Sequence, residues 1–498
     1  MTKTVTLNNK NLSILPYEVK RPLYDRNKLV AGIVHIGVGG FHRAHQAYYT
    51  DELIGNHTAN NWAICGIGLL KTDRKMSEIL ENQDCLYTVM IRHHDGRLDA
   101  RVIGSVIEYL FAPENPNAVI EKIAHPNTKI VTLTITEGGY NFNQATGEFD
   151  FENPDIQYDL LHPLQPRTVY GYLSEALRRR KKRGMPALTV QSCDNIQKNG
   201  DMTKKMLLTF IRKSDLKLSR WIEKYASFPN SMVDRITPVT TETDKQFLKE
   251  TYHIKDDWPV VCEPFSQWVI EDHFVNGRPA WEDVSANFVS DVSPYEKMKI
   301  RLLNAGHSAL GFLGVLYDYT YVHEAVQDSL FSEFLRNFMD QEVIPILDKV
   351  PGIDLEVYKN SLVDRFANPH IEDQLARICL ESSSKIPKFL LPTIREQLQK
   401  GGPIRCSALV VAAWCRYAEG VDEHGRKYPV EDKKEAILRE KAHASRHDPM
   451  AFLSIESIFG DLISSKKFVE AYETALQDLY QSGVRKSMQE SINSFKNW

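Results

Sequence analysis

The chain of 498 residues sets 61 basic against 65 acidic side chains, a net charge of −4, with 42% hydrophobic and 25% charged residues. That length exceeds one compact core and predicts two or three domains, and the near-balanced charge gives no electrostatic reason to expect nucleic acid or an anionic membrane, leaving small molecules as partners. No run approaches the ~18 apolar residues of a membrane span, the amino-terminal MTKTVTLNNKNLSILPYEVKRP has no signal-type apolar core, and seven scattered cysteines form neither a CxxC pair nor a His/Cys cluster at metal-ligand spacing. A cytoplasmic protein with reduced thiols is therefore expected, and the cysteine pattern counts against a zinc-dependent alcohol dehydrogenase while leaving open carboxylate and histidine ligands distant in sequence.

In chain order, GIVHIGVGG (32–40) reads as a strand entering a glycine-rich turn, WAICGIGLL (62–70) as a second strand, KIVTLTITEGG (129–139) as a β-branched third and ALTVQSCDN (187–195) as another. Strands alternating with helical patterns predict parallel α/β units. The helix TVYGYLSEALRRRKKRG before the last strand carries a basic run from Arg178 to Arg183; ahead of Gly184, that is what a helix C-terminus and its cap prefer, and it needs no nucleic-acid partner. From about Ser293 the pattern changes to amphipathic helices over 295–318, 327–347, 371–382, 390–399, 405–418, 431–443 and 466–492, with VPGIDLEVY and RHDP among the loops. The fold class is thus α/β, a Rossmann-type domain over 1–290 followed by a mostly α-helical domain over 291–498.

The turn Gly37-Val38-Gly39-Gly40-Phe41-His42, with Arg43 behind it, leaves an apolar strand as dinucleotide-binding turns do. Gly37 would make the tight bend and Gly39 would admit a pyrophosphate, although His42 stands where a third glycine is usual. By itself the turn also fits a structural strand-to-helix junction. Asp73, just past the second strand and placed to accept hydrogen bonds from an adenosine ribose, favours a nicotinamide dinucleotide.

YEKMKIRLLNAGHSAL (295–310) places Glu296, Lys299, Asn304 and His307 within an arc of about 140° on a regular helix, with Ile300, Leu302 and Leu303 available for burial. A lysine desolvated among apolar neighbours can have its pKa lowered toward neutrality, as a general base for an alcohol requires. Taken alone, these four residues fit a surface helix with a solvated lysine and a structural histidine better than a catalytic set.

Several segments in order carry a family resemblance: IVHIGVGGFHRAHQAYYTDEL, LTITEGGYNF, SCDN, SFPNSMVDRITP, VCEPFSQWVIEDHFVNGRPAW, the K-x4-N-x2-H set from Lys299 to His307, and PGIDLEVYKNSLVDRFAN continuing to SSSKIPKF. Over nearly its whole length the chain resembles the polyol-specific long-chain dehydrogenases of the mannitol dehydrogenase family. The resemblance implies NAD-linked interconversion of D-mannitol and D-fructose, without metal, in a chain that acts as a monomer. It further implies Lys299 as general base, Asn195 and Asn304 as amides on the substrate oxygen, His307 as a positioning group and Glu296 as a proton relay. Asp234, Arg377 and Lys385 are implied as partners of the other hydroxyls.

Each role has a plainer reading. Asp234 and the adjacent Arg235 fit a buried ion-pair network, Arg377 and Lys385 fit solvated charges, Asn195 fits a strand-end turn, and Cys193 fits a packed thiol. The Tyr295-x3-Lys299 pair imitates short-chain dehydrogenases but lies far downstream of the glycine turn. Two departures from the family pattern stand out: Ala305-Gly306 replaces the Gly-Ser of many relatives, and Thr72 occupies a place where some carry a second acid. Asp73 predicts NAD over NADP, tempered by the neighbouring Arg74 and Lys75. The alternatives are a hexuronate reductase of the same family, acting on fructuronate or tagaturonate with Arg377 or Lys385 meeting the carboxylate, and a non-catalytic NAD-binding sensor.

Overall fold

Five short parallel strands account for the apolar runs of the first half: Ala31–Ile36, Ala63–Gly68, Val106–Phe111, Ile130–Leu133 and Thr189–Ser192. Numbered in chain order they lie 3-2-1-4-5, a Rossmann arrangement whose chain reversal falls beside the first strand. Both faces are covered, so alternate residues enter different cores. Val34, Ile36, Cys65, Val131 and Val190 pack with helices Pro116–Ala124, Val169–Lys182 and Asn199–Arg212, while Ile33, Ile64 and Ile130 pack with helices Gln46–Gly55 and Arg74–Asn82. Two three-stranded sheets, one joining Tyr87–Arg92 with Leu98–Ile103 and Val260–Cys262, the other joining Gln267–Glu271 with Ser231–Asp234 and Asn287–Val289, and a two-stranded pair of Val5–Thr6 with Ile254–Lys255 also belong to this half.

In this computed structural model, residues 4–56, 59–142 and 147–496 are described. The first three residues of the amino-terminal stretch and the last two of the second expected domain lie outside them. The chain divides into two compact units, Met1–Ser293 and Pro294–Trp498. Among the described residues no helix is long and apolar enough to cross a membrane.

The basic run is structural. Helix Val169–Lys182 ends before Gly184, whose φ of +66° supplies the left-handed cap. Arg179 and Arg183 both bind Glu121, Arg178 meets Glu175, and the buried Arg180 guanidinium donates to the carbonyls of His125, Thr128 and Pro186 at 2.8, 3.1 and 2.8 Å.

The second unit is helical, with five corrections to the periodicity reading, one being that the expected 327–347 helix is Ser329–Asn337 followed by a π-helical Phe338–Val343 and a 3-10 turn Ile344–Ile346. The expected helix 295–318 is Ser293–Lys299, a π-helical turn Ile300–Asn304, then Ala305–Leu316. VPGIDLEVY is only partly loop, since Asp354 caps the amides of Glu356 and Val357 and starts helix Leu355–Phe366. The expected 371–382 helix is two shorter ones, Leu375–Cys379 and Ser382–Phe389. The last helix, Lys466–Lys496, breaks at Gly483, where φ is +75° and ψ 177°. The almost wholly buried Arg405–Ala418 forms a hub, and its N-terminal amides at Cys406 and Ser407 donate at 2.6 and 2.8 Å to Glu342, a fully buried carboxyl in the π-helical Phe338–Val343.

Two stability tests follow from these buried charges. Arg180→Met strands three carbonyls and should cost about 2–4 kcal/mol in urea unfolding, while the exposed neighbour Lys182→Gln should cost under ~0.5 kcal/mol. Burial pushes the Glu342 carboxyl up from 4.5 to about 7. Its contribution to stability is therefore complete below its unfolded value and lost as pH rises through about 7, a change of about 3 kcal/mol. Glu342→Gln should flatten the unfolding free energy between pH 5 and 8; an unchanged pH slope would refute this.

Candidate active site

Chemistry-bearing residues of the first unit gather at the carboxyl ends of its parallel strands, where open α/β sheets bind ligands. Gly37 leaves strand Ala31–Ile36 with φ +97°, and a Cβ there would lie 2.1 Å from the Thr134 carbonyl oxygen, so only glycine fits. Its carbonyl accepts from the Gly39 amide at 2.8 Å and the Thr134 hydroxyl at 2.6 Å, and from His35 Nε2 at 3.1 Å. Gly39 has open space on the side a Cβ would occupy, with nothing nearer than the Gly37 oxygen at 3.9 Å. Backbone there is accessible to a phosphate-sized group, and the turn fits a dinucleotide.

His42 replaces the third glycine by stacking. Its ring lies 3.4 Å from that of His35, at an interplanar angle of 10°, and both are buried. Burial lowers both imidazole pKa values, that of His35 to about 3, so two neutral rings make the close helix-to-strand contact that a glycine would otherwise allow. Phe41 stacks on His45, and Val38 is buried in the core. Arg43 is also buried and donates to Gly39 O and Trp258 O, with its guanidinium over Tyr87. It acts on the turn from behind.

Past the second strand, Asp73 closes a short 3-10 turn by accepting the Leu70 amide at 2.8 Å. Both neighbouring cations are engaged. Arg74 pairs with Glu114 at 2.8 Å and lies 4.9 Å from the Phe111 ring centroid, while Lys75 lies 5.0 Å from that of Trp258.

Asn195 is exposed just beyond strand Thr189–Ser192. Its buried neighbour Asp194 is a residue that pattern reading passed over: the carboxylate accepts from the amides of Ile135 and Thr136 at 3.0 and 2.9 Å and from Tyr140 Oη at 2.8 Å. It clamps the ends of two adjacent strands, holding Thr136 at φ +59°. Cys193 is a buried thiol whose pKa is raised by desolvation. Asp234 is buried at the end of Ser231–Asp234, and the adjacent Arg235 donates to the carbonyls of Ala44 and Glu263.

In the second unit, Glu296 and Lys299 are buried, at 5% and 6% exposure, which removes the solvated-lysine reading. On a regular helix Lys299 and Asn304 would mark the two ends of the predicted arc. The π-helical turn between them carries a hydrogen bond from the Ala305 amide to the Ile300 carbonyl, five residues back, and so draws residues five apart toward one side. Asn304 Oδ1 is buried without a hydrogen-bond partner among the described residues. An amide end left unsatisfied in a buried position is one that a ligand can complete. The His307 ring stacks on Phe366, centroids 4.2 Å apart. Beyond it, Gly311 and Gly314 let helix Ala305–Leu316 lie against Leu375–Cys379: a Cβ on either would meet Cys379 Sγ at 2.8 Å or Leu375 Cδ1 at 2.7 Å. The latter helix carries Arg377, whose Nε and Nη2 hold Asp373 at 2.6 Å each, so this guanidinium is fixed by a carboxylate. Lys385 donates to the Ile378 carbonyl at 3.2 Å. Among the described residues no group of three or more His, Cys, Asp or Glu could hold a metal ion.

Residues 31–283 match the mannitol dehydrogenase Rossmann domain and residues 291–480 the mannitol dehydrogenase C-terminal domain. The chain belongs to the mannitol dehydrogenase family. It is 48% identical over 498 residues to mannitol 2-dehydrogenase of Aspergillus fumigatus, covering 98% of this chain and 99% of that one. It is 45% identical to a Saccharomyces cerevisiae mannitol dehydrogenase, over 99% and 98% of the two chains. Among solved structures it is similar to Pseudomonas fluorescens mannitol 2-dehydrogenase in a ternary complex with NAD and D-mannitol, with a TM-score of 0.91, 46% identity and coverage of 98% and 100%. A substrate-free D-sorbitol dehydrogenase gives a TM-score of 0.88 at 36% identity, covering 97% and 100%.

The glycine turn is testable without any ligand. Gly37→Ala should destabilise the first unit by more than ~2 kcal/mol, from the left-handed backbone and the clash with Thr134, whereas Gly39→Ala should cost under ~1 kcal/mol. Equal unfolding midpoints for the two variants would refute the assigned roles.

Proposed function

We propose that the chain is an NAD-dependent oxidoreductase that interconverts D-mannitol and D-fructose at C2, with Lys299 as general base. The observation that carries this reading is the buried Lys299, with Asn304 brought toward its side of the helix by the π-helical turn, in a family member almost half identical to mannitol 2-dehydrogenases over its whole length.

The turn from Gly37 to Arg43 would hold the dinucleotide phosphates and Asp73 the ribose hydroxyls. When bound, the nicotinamide accepts or returns hydride at the substrate carbon. Lys299 takes the proton from the C2 hydroxyl in the oxidising direction and returns it in the reducing one. As that oxygen gains negative charge, the amide donors of Asn195 and Asn304 stabilise it without reorganising. His307 positions the alcohol, its ring fixed against Phe366. Glu296 passes the proton on toward solvent, and Asp234, Arg377 and Lys385 bind the remaining hydroxyls. Lys299 would do the work that zinc does in other alcohol dehydrogenases, where the ion makes the bound alcohol more acidic, so metal independence belongs to this reading. Engagement of Arg74 by Glu114 and of Lys75 by Trp258 leaves Asp73 to repel a 2′-phosphate, and NAD is preferred. Because the Arg74–Glu114 pair is solvent-exposed, it is worth under ~1 kcal/mol and the preference is modest. Seven free thiols fit a reducing compartment, and a cytoplasmic monomer completes the reading.

NADH oxidation should be measured with D-fructose, D-fructuronate and D-tagaturonate, before and after dialysis against EDTA. Turnover on fructose, unchanged by chelation and reduced about 10²- to 10⁴-fold in Lys299→Ala with NADH binding retained, is the expected result. Turnover confined to the uronates would move the substrate while keeping the base. Asp373 already neutralises Arg377, so in that outcome Lys385 would be the cation that meets the carboxylate. No turnover on any of the three would leave a dinucleotide-binding sensor, and loss of activity with EDTA would overturn metal independence.

A further inference from the structure

A π-helical turn is an uncommon local choice for a backbone that could form four-residue hydrogen bonds, and such turns concentrate at functional sites. Something must hold it. Within Ile300–Asn304 the strongest tertiary anchor is Arg301, 5% exposed, whose Nη1 donates to Thr393 Oγ1 at 3.0 Å and whose Nη2 donates to Glu396 at 2.8 Å. Thr393 is fully buried, and both acceptors sit on helix Leu391–Lys400. Glu396 also meets Lys297 at 3.0 Å, so one carboxylate grips the helix immediately before the π-helical turn and inside it. At about 100° per residue, Lys297 and Arg301, the second residue of the turn, fall outside the arc that carries Glu296, Lys299 and His307. The clasp therefore acts on the backbone from the flank.

We infer that Arg301, Thr393 and Glu396 are positioning residues for the reaction: they hold the helix in its five-residue turn and thereby fix Asn304 and His307 in register with Lys299. If the turn relaxed to regular α-helix, everything after it would rotate and shift relative to the lysine. Arg301 is buried while Glu396 keeps 30% of its side chain exposed, so the Arg301 charge is desolvated for a partner that itself stays partly solvated, and an apolar side chain in its place would often be as stable. The inference rests on Lys299 being the base, as proposed above, and makes the clasp a device for geometry.

The test compares Arg301→Lys, Glu396→Gln, Thr393→Val and Thr393→Ser in the full chain, with Asp348→Asn as control because Asp348 is an exposed second partner of Lys297. For each, kcat and KM with D-fructose, NADH affinity by fluorescence and the thermal midpoint are measured, with active sites counted by a single-turnover burst. The first three variants should lose about 10- to 100-fold in kcat per active site, the scale of an ångström-level misplacement. Their NADH affinity should stay within about twofold, and Thr393→Ser, which keeps the acceptor, should restore most of the loss. Asp348→Asn should match the parent. Retention of kcat within about twofold in both Glu396→Gln and Thr393→Val overturns the inference, even if Arg301→Lys fails to fold. So does a fall in the number of active sites with parental turnover in those remaining, which would mark the clasp as merely structural. The Lys299→Ala variant separates the two levels: if it stays active the base assignment fails, and if it is inactive while the clasp variants are normal only the present inference fails.

Discussion

The hydrogen bond from the Ala305 amide to the Ile300 carbonyl reaches back five residues instead of four, and helix Ala305–Leu316 takes its phase relative to Ser293–Lys299 from that displaced bond. It sets which side chains after residue 304 share a side with Lys299. The helix it leads into is lined with glycine at 311 and 314, where neighbouring side chains of Leu375–Cys379 approach too closely for any Cβ. A rotation at the turn would drive those contacts apart or into collision, so the phase of the helix is fixed from both ends. Close packing converts a local backbone irregularity into a specified arrangement of polar groups.

The first unit obeys a comparable constraint in a different material. The Gly37 carbonyl receives an amide, a hydroxyl and an imidazole, which satisfies a backbone group that would otherwise turn toward whatever occupies the strand ends. His35 performs that task while serving as the floor on which His42 lies. Desolvation keeps both rings neutral, so the stack avoids the repulsion that two imidazolium ions would impose. The dinucleotide fingerprint is thus met with flat rings in place of its last glycine. Asp194 does the equivalent for the next two strands, tying Ile135 and Thr136 to the segment that ends in Asn195.

Short apolar runs, one of them strongly β-branched, made the parallel strands legible, and the glycine turn, Asp73 and the Lys299-to-His307 spacing could be placed from residue type alone. Family resemblance, not periodicity, supplied the roles of Asn195, Asp234, Arg377 and Lys385. What stayed hidden was of one kind. The π-helical turn leaves no mark on an apolar pattern, because Ile300, Leu302 and Leu303 satisfy either helix type. Helix Leu355–Phe366 was obscured by the Pro351-Gly352 turn ahead of it, although Asp354 is a normal N-cap. Gly483 lies inside the amphipathic run 466–492, which by pattern alone reads as one helix; its φ of +75° is a tertiary fact. Asp194 sat beside two more conspicuous residues, and its value lies in three donors distant in sequence.

The seven cysteines, unremarkable for chemistry, give the folded chain a further property. All are unpaired thiols, none more than 7% exposed, and burial holds those at Cys85, Cys379 and Cys415 up at about 12. Thiolate is the reactive species, so the native surface is silent toward alkylating reagents. A single cysteine engineered on the outside would then carry a fluorophore or spin label at one defined place, while modification of the native seven would report the opening of the cores that enclose them.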